Sequence, residues 1–172
     1  MQNIKAYVML VCASLFWAGN FMVGKYAFFS EIPPLSLVFY RWSLVWIILL
    51  PFTYKEIIKY KDTILNNLPL LFFLGLTSVG LYNSFTYLSL VHTQVINASL
   101  FNAAIPAIII LLCFLLKIEK TNKFQILGLI ISVGGILAII TKLKLNILLS
   151  LNFNKGDLIM IGGVLTLSLI HI

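Results

Sequence analysis

Residues 94–116 read QVINASLFNAAIPAIIILLCFLL, 23 residues without one charge. A hydrocarbon core of about 30 Å takes about 20 residues of helix at 1.5 Å each. The stretch is therefore long enough to cross a bilayer. Five further apolar runs surround it, at 6–29, 35–54, 68–91, 124–141 and 157–172. They are joined at Ile32-Pro33-Pro34, from Lys55 to Asn67, at His92-Thr93-Gln94, from Lys117 to Lys123, and from Lys142 to Gly156. In lipid every backbone polar group must be satisfied internally, which only helices and closed barrels achieve. These runs are too long and too continuously apolar for barrel strands of about ten alternating residues. The pattern predicts an all-α polytopic membrane protein.

The composition agrees. Of 172 residues, 61% are hydrophobic and 10% charged, and the mean hydropathy is +1.06. A soluble domain is roughly 25% charged, and one of this size has no core large enough for so much apolar surface. Disorder, collagen and coiled coil need far more charge or a strict repeat. Twelve Lys+Arg against five Asp+Glu give +7. In a membrane protein that excess is an orientation signal, and no nucleic-acid partner is expected. With the N-terminus cytoplasmic, Lys5, Lys55, Lys59, Lys61, Lys117, Lys120 and Lys123 lie inside, whereas Lys25, Lys142, Lys144 and Lys155 lie outside. Seven against four favours that orientation, Arg41 being left out because it sits within a span. The first run exceeds the 7–15 apolar residues of a signal peptide and reads as a retained helix. Cys12 and Cys113 fall inside apolar runs and read as small buried hydrophobes. Neither a metal site nor a cofactor is expected.

Two segments stand apart. Residues 142–153 alternate polar and apolar, which suits a short amphipathic piece in the interface or an ordered loop with snorkelling lysines. Residues 142–156 are thus expected as an external interfacial loop. The sixth run is only sixteen residues and ends without a flanking charge. Its last six residues, 167–172, resemble translated adapter sequence, so the natural protein is expected to continue past Thr166.

Several motifs fall in order along the chain. Trp17-Ala18-Gly19-Asn20-Phe21-Met22-Val23-Gly24-Lys25 lies in the first run; Tyr40-Arg41-Trp42 and Leu49-Leu50-Pro51-Phe52 lie in the second. Tyr82-Asn83 and Tyr87-Leu88-Ser89-Leu90 follow, then Thr93, Asn97-Ala98-Ser99-Leu100 and Pro106. Glu119, Gly128, Gly134-Gly135 and Gly156-Asp157 complete the set. In this order and spacing the chain resembles the EamA-type family of the drug/metabolite transporter superfamily, up to about residue 166. The resemblance implies ten helices in two five-helix repeats of opposite orientation, an inversion that an odd number of spans per repeat enforces. Residues 1–141 then correspond to the first five-helix repeat, and 157–172 to the start of helix 6, a truncated first helix of the second repeat.

Polar side chains in lipid face protein or water. Leu10, Ala13, Trp17, Asn20 and Gly24 share one face of the first helix. Trp17 and Asn20 are cavity candidates, packing between helices being the other reading. Arg41 lies roughly 9 Å inside the second span. It suits an anion or carboxylate contact, or a snorkelling side chain that fixes helix depth, and Lys25 suits the latter more. The third span carries Ser78, Tyr82, Thr86 and Ser89 in one stripe, with Asn83 and Tyr87 beside it. Tyr82, Asn83 and Tyr87 are candidate substrate contacts, or glue between helices. Asn97 and Asn102 are candidates in the fourth span. There Pro106 deprives the Asn102 carbonyl of its i+4 partner and predicts a kink or hinge. Gly128, Ser132 and Gly135 form a small-xxx-small face, expected to pack within the repeat.

These readings point to a secondary transporter that exports or exchanges a small metabolite, an amino-acid-like or drug-like compound, by alternating access. Its partners would be the lipid bilayer and that small-molecule substrate. A homodimer, or a second repeat of the same chain, would complete the cavity. The Ile, Lys and Asn content hints at a bacterial cytoplasmic membrane. No G-x-x-x-x-G-K-[ST] is present for ATP. No Asp or Glu falls within the first five runs, so a proton-coupling carboxylate is missing from them. A non-transporting structural or assembly subunit is the alternative. An intramembrane enzyme fits poorly, since G-x-S-x-G, H-E-x-x-H and paired intramembrane aspartates are all missing.

Overall fold

In the computed structural model, which describes residues 2–118, 122–141 and 154–172, the apolar runs are helices. The first two are α1 (Gln2–Phe29) and α2 (Pro34–Lys59), followed by a short α3 (Lys61–Asn66). The third run is α4 (Leu68–Gly75), a π-helical segment (Leu76–Leu81) and α5 (Tyr82–His92). The fourth is α6 (Val95–Ala103) and α7 (Ile105–Leu115), the fifth α8 (Lys123–Thr141) and the sixth α9 (Lys155–His171). No strand occurs among the described residues. Four spans, Ile4–Phe29, Pro34–Lys59, Leu68–His92 and Val95–Leu115, are long and apolar enough to cross a membrane. The protein is an all-α polytopic membrane protein.

The turn between α1 and α2 shows how the chain reverses. Glu31 adopts φ 59°, a left-handed conformation, and the amide of Ile32 donates back to Ala27 O at 3.0 Å. This closes the helix C-terminus. Pro33 then precedes Pro34, whose missing N–H costs nothing in the first turn of α2.

Three segments show detail beyond the run boundaries. The polar stretch from Lys55 to Asn67 is not a loop: α2 runs on to Lys59, where an exposed Glu56–Lys59 pair spans 3.7 Å, and α3 follows directly. Lys55, Glu56 and Lys59 are good helix formers, and beyond the hydrocarbon nothing forces the helix to stop. The fourth span is interrupted beside Pro106. Ala104 separates α6 from α7, and Pro106 falls in the first turn of α7, where a proline is tolerated. The sixth helix begins at Lys155, not 157, because Asn154 and Asp157 form a reciprocal cap. The Asp157 amide donates to Asn154 Oδ1 at 2.8 Å, and the Asn154 amide donates to Asp157 Oδ2 at 3.2 Å. Of the expected interfacial loop, residues 142–153 lie outside the described residues.

The helix α5 is the hub. It packs on α1, α2, α6 and, most extensively, α9. Its stripe of Tyr82, Thr86 and Ser89, with Asn83 and Tyr87, is buried. Thr86 Oγ1 and Ser89 Oγ turn back onto Tyr82 O and Thr86 O, so these hydroxyls need no water. The core joins Phe21, Val38, Tyr87, Leu90, Ala98, Ile105, Met160 and Val164 from six helices. Hence α9 belongs to the same packed core as α1, α2 and α5.

Small residues set the approach distances. A Cβ on Gly156 would lie 2.5 Å from Ser89 O and 2.8 Å from the Thr93 amide, both backbone atoms of the α5 end. A Cβ on Gly24 would lie 2.7 Å from the Tyr87 ring. In contrast, Gly128, Ser132 and Gly135 on α8 are exposed, with nothing within 4 Å of a Cβ at either glycine among the described residues. The small face of α8 is therefore not a packing surface within the described part of the chain, contrary to expectation. Likewise, Leu10 and Ala13 in the N-terminal half of α1 are exposed, and the packed part of that helix is Phe21, Gly24 and Ala27.

Gly156→Ala is expected to cost about 1–3 kcal/mol, because a helix would have to move away from a backbone. Gly128→Ala should be neutral or stabilising by up to about 1 kcal/mol through helix propensity. Thermal unfolding of the two variants in the same detergent compares them directly.

Candidate functional site

Three polar residues from three helices meet in the bundle. Arg41, two turns into α2, donates from Nη1 to Asn20 Oδ1 of α1 and to Tyr87 Oη of α5, both at 2.6 Å. The Tyr87 hydroxyl donates in turn to the same Asn20 oxygen at 2.5 Å. One amide oxygen thus accepts two bonds, and one guanidinium nitrogen supplies two. Arg41 does not snorkel; it is fastened by neutral acceptors. The rest of the guanidinium makes no hydrogen bond among the described residues, and it stacks 5.5 Å from the Trp42 ring.

A cavity of about 320 Å³ opens beside this cluster. Phe16, Trp17, Trp42 and Tyr82 give it aromatic walls. Asn20, Arg41, Ser78 and Asn83 give it polar ones. Among the described residues, no carboxylate lines it. Two neighbouring grooves along α2, of about 440 and 470 Å³, are lined by Trp46, Ile47, Leu49, Val79 and similar residues, and are almost wholly apolar. The polar cavity differs from these by chemistry, not by size.

The π-helical segment shapes one wall. There the Tyr82 amide reaches back five residues to Thr77 O, and several carbonyls are left for side chains. Asn83 Nδ2 donates to Ser78 O at 3.1 Å and Val79 O at 3.0 Å, while Ser78 Oγ donates to Leu74 O at 2.6 Å. The widened turn rotates Ser78 and Asn83 onto the cavity while keeping their donors on the backbone. Trp42 has the only buried side-chain polar atom without a partner among the described residues, its indole Nε1.

Of the eight residues proposed from sequence, Trp17, Asn20, Arg41, Tyr82 and Asn83 line this cavity, and Tyr87 holds Arg41 from behind. Asn102 stands one residue further back, where its Oδ1 accepts from the Tyr82 hydroxyl at 2.7 Å. Asn97 is elsewhere. Its Nδ2 lies 3.5 Å from Thr93 Oγ1, at the junction of α5, α6 and α9. The reason is helical phase: five residues separate Asn97 from Asn102, and so they point to different sides. Trp42 and Ser78 enter the sequence reading only as members of a motif and of a polar stripe, not as cavity candidates, and Phe16 carries no sequence signal.

A second polar cluster closes the helix ends on the Lys25 side. Lys25 Nζ donates to Leu90 O at 2.6 Å and Thr93 O at 3.0 Å, tying α1 to the last carbonyls of α5. A cation there also complements the negative helix end. Thr93 Oγ1 donates to Asp157 Oδ1 at 2.6 Å and accepts from Asn154 Nδ2 at 3.3 Å, tying α5 to α9. Lys25 therefore serves as a clamp between helices, a correction to the snorkelling role. No local signal marks this partnership, because the partners are 65 and 68 residues away.

The EamA-like transporter family profile matches residues 4–141, most of the chain. The chain belongs to this family. An uncharacterized transporter of Bacillus subtilis, YyaM, is 29% identical over 168 residues, which is 95% of this chain and 53% of that protein. An uncharacterized transporter of Archaeoglobus fulgidus is 30% identical over 163 residues, 93% of this chain and 54% of that protein. The protein named WALLS ARE THIN 1 of Arabidopsis thaliana is 31% identical over 122 residues, 70% of this chain and 31% of that protein. The chain thus spans about half the length of the first two relatives. No solved structure matches it at a significant level. As a member of the EamA-like transporter family with four apolar spans, it is an integral membrane protein.

The Asn20–Tyr87 bond should register in a double-mutant cycle. Asn20→Leu and Tyr87→Phe are expected to couple by about 0.6–1.7 kcal/mol in reversible unfolding in micelles, the range of interhelical hydrogen bonds in membrane proteins. Additive effects would mean that the bond contributes nothing.

Proposed function

We propose that this EamA-like chain builds the substrate cavity of a secondary transporter, which exports or exchanges a small metabolite by alternating access. The observation that carries the reading is the mixed aromatic and polar cavity beside Arg41, held between α1, α2 and the third span, with Leu167 of α9 on one side. A lipid-facing groove needs no arginine, and a purely structural helix contact needs no 320 Å³ space. The cluster of Lys25, Thr93, Asn154 and Asp157 would be the closed gate. It fastens α1, α5 and α9 at one end of the bundle. Alternating access would require that end to part while the opposite end draws together.

In this reading the protein lies in a bacterial cytoplasmic membrane with its N-terminus inside, and the gate faces outward. The exposed N-terminal half of α1 would face a second set of helices, from the same polypeptide or from a second copy. A non-transporting assembly subunit is the competing reading, and flux separates the two. Membrane vesicles carrying the intact protein should exchange radiolabelled small metabolites. Trp17→Ala should lower that exchange at least severalfold at equal expression, whereas a mere assembly subunit would support no flux at all.

Access gives a second expected outcome. In a background with Cys12→Ser and Cys113→Ser, Ser78→Cys should react with a hydrophilic maleimide applied from the side of the N-terminus. Added Thr93→Val removes the donor to Asp157 and should raise labelling from the opposite side severalfold. Labelling from neither side, with the protein folded, would refute a water-filled cavity.

A further inference from the structure

We propose that the cavity selects its cargo by charge, and that the cargo is a small organic carboxylate whose anionic group binds the unused edge of the Arg41 guanidinium. The inference rests on the transport reading and names the substrate class of that site. It starts from an imbalance of charge. Arg41 brings a permanent cation two turns into a membrane span, and a guanidinium stays protonated there. The two residues that hold it, Asn20 and Tyr87, are neutral. Glu31, Glu56, Asp62 and Asp157 lie in the joins or at helix ends. Glu56 faces Lys59, and Asp157 is taken by Thr93 and Asn154. None of these four carboxylates reaches the cavity.

The donor geometry agrees with the charge. Both bonds to Asn20 and Tyr87 leave from Nη1, so the Nε–Nη2 edge is the one left over among the described residues. That edge offers two parallel N–H groups, the fork that matches two carboxylate oxygens. Asn20 Oδ1 already accepts two bonds, so it does not compete for them. Tyr87, anchored from behind, fixes the plane of the fork and lowers the entropy lost on binding. The walls then determine the remainder of the molecule. Phe16, Trp17, Trp42 and Tyr82 suit an aromatic or branched apolar body, within the roughly 320 Å³ available. A cationic amine would meet like charge at Arg41 and no acidic partner among the described residues.

A matched set of probes tests this on the purified full chain in nanodiscs: phenylacetate, its neutral amide phenylacetamide, and phenethylamine, followed by equilibrium dialysis. Inorganic phosphate is included as an anion without the apolar body. Phenylacetate is expected to bind at least tenfold more tightly than the amide, with the amine weakest and phosphate weaker than phenylacetate. Arg41→Gln should bring acid and amide to equal affinity. Arg41→Lys, which keeps the charge but loses the fork, should keep only part of the preference, and it carries the test if Arg41→Gln does not fold. Equal binding of acid and amide by the parent protein, no binding of any probe, or an acid preference that survives Arg41→Gln would overturn the proposal. Flux of the same compounds across vesicles is read separately. Acid-selective binding without flux would sink the transport reading and leave this one standing, and flux without acid preference would do the reverse.

Discussion

A guanidinium inside a membrane span has to be solvated by something, and in this protein Asn20 and Tyr87 do it. The constraint is severe, because a charge in hydrocarbon costs several kcal/mol by most measures. Two neutral oxygens from two other helices supply the acceptors, so α1, α2 and α5 are drawn to a common point. An ion pair would have neutralised the arginine. Hydrogen bonds to neutral groups fasten it, and no described carboxylate pairs with it. Structure and chemistry are thereby linked: the bonds that hold three helices together also leave a cationic, partly open edge beside an aromatic cavity.

The rest of the bundle is arranged so that α5 can carry this load. Polar side chains along it are buried, which is tolerable only because each finds a partner. Tyr82 donates to Asn102, Thr86 and Ser89 fold back on their own helix, and Tyr87 donates to Asn20. Close approach by glycine then allows the backbones to meet. Gly24 admits the Tyr87 ring and Gly156 admits the end of α5. At that end the helix carbonyls are covered by Lys25, and Thr93 links Asp157 and Asn154 across to α9.

Much of this was legible in the chain itself. Run length and charge scarcity determined helices in a membrane, because the hydrocarbon thickness leaves no other solution for stretches such as 94–116. The stripe on the third span determined that this helix faces inward, and its burial agrees. The roster of polar residues, with Trp17, Asn20, Arg41, Tyr82, Asn83 and Tyr87 among them, followed from the cost of polar atoms in lipid. The ordered motifs carried the family likeness, which the profile match over residues 4–141 bears out.

Only the tertiary structure decided which of these residues meet. Periodicity places a side chain on a face but does not name its partner, so the triangle of Asn20, Arg41 and Tyr87, whose members are 21, 46 and 67 residues apart, had no local signature. The same holds for Lys25 on the α5 carbonyls and for Thr93 on Asp157. The π-helical turn at Leu76–Leu81 was equally hidden, since it depends on how packed neighbours satisfy the freed carbonyls. Asn97 and Asn102 look alike in sequence, yet helical phase within α6 separates them. Hydropathy is a property of each segment alone and is therefore written in the chain. Pairing is a property of distances between segments and exists only once they pack.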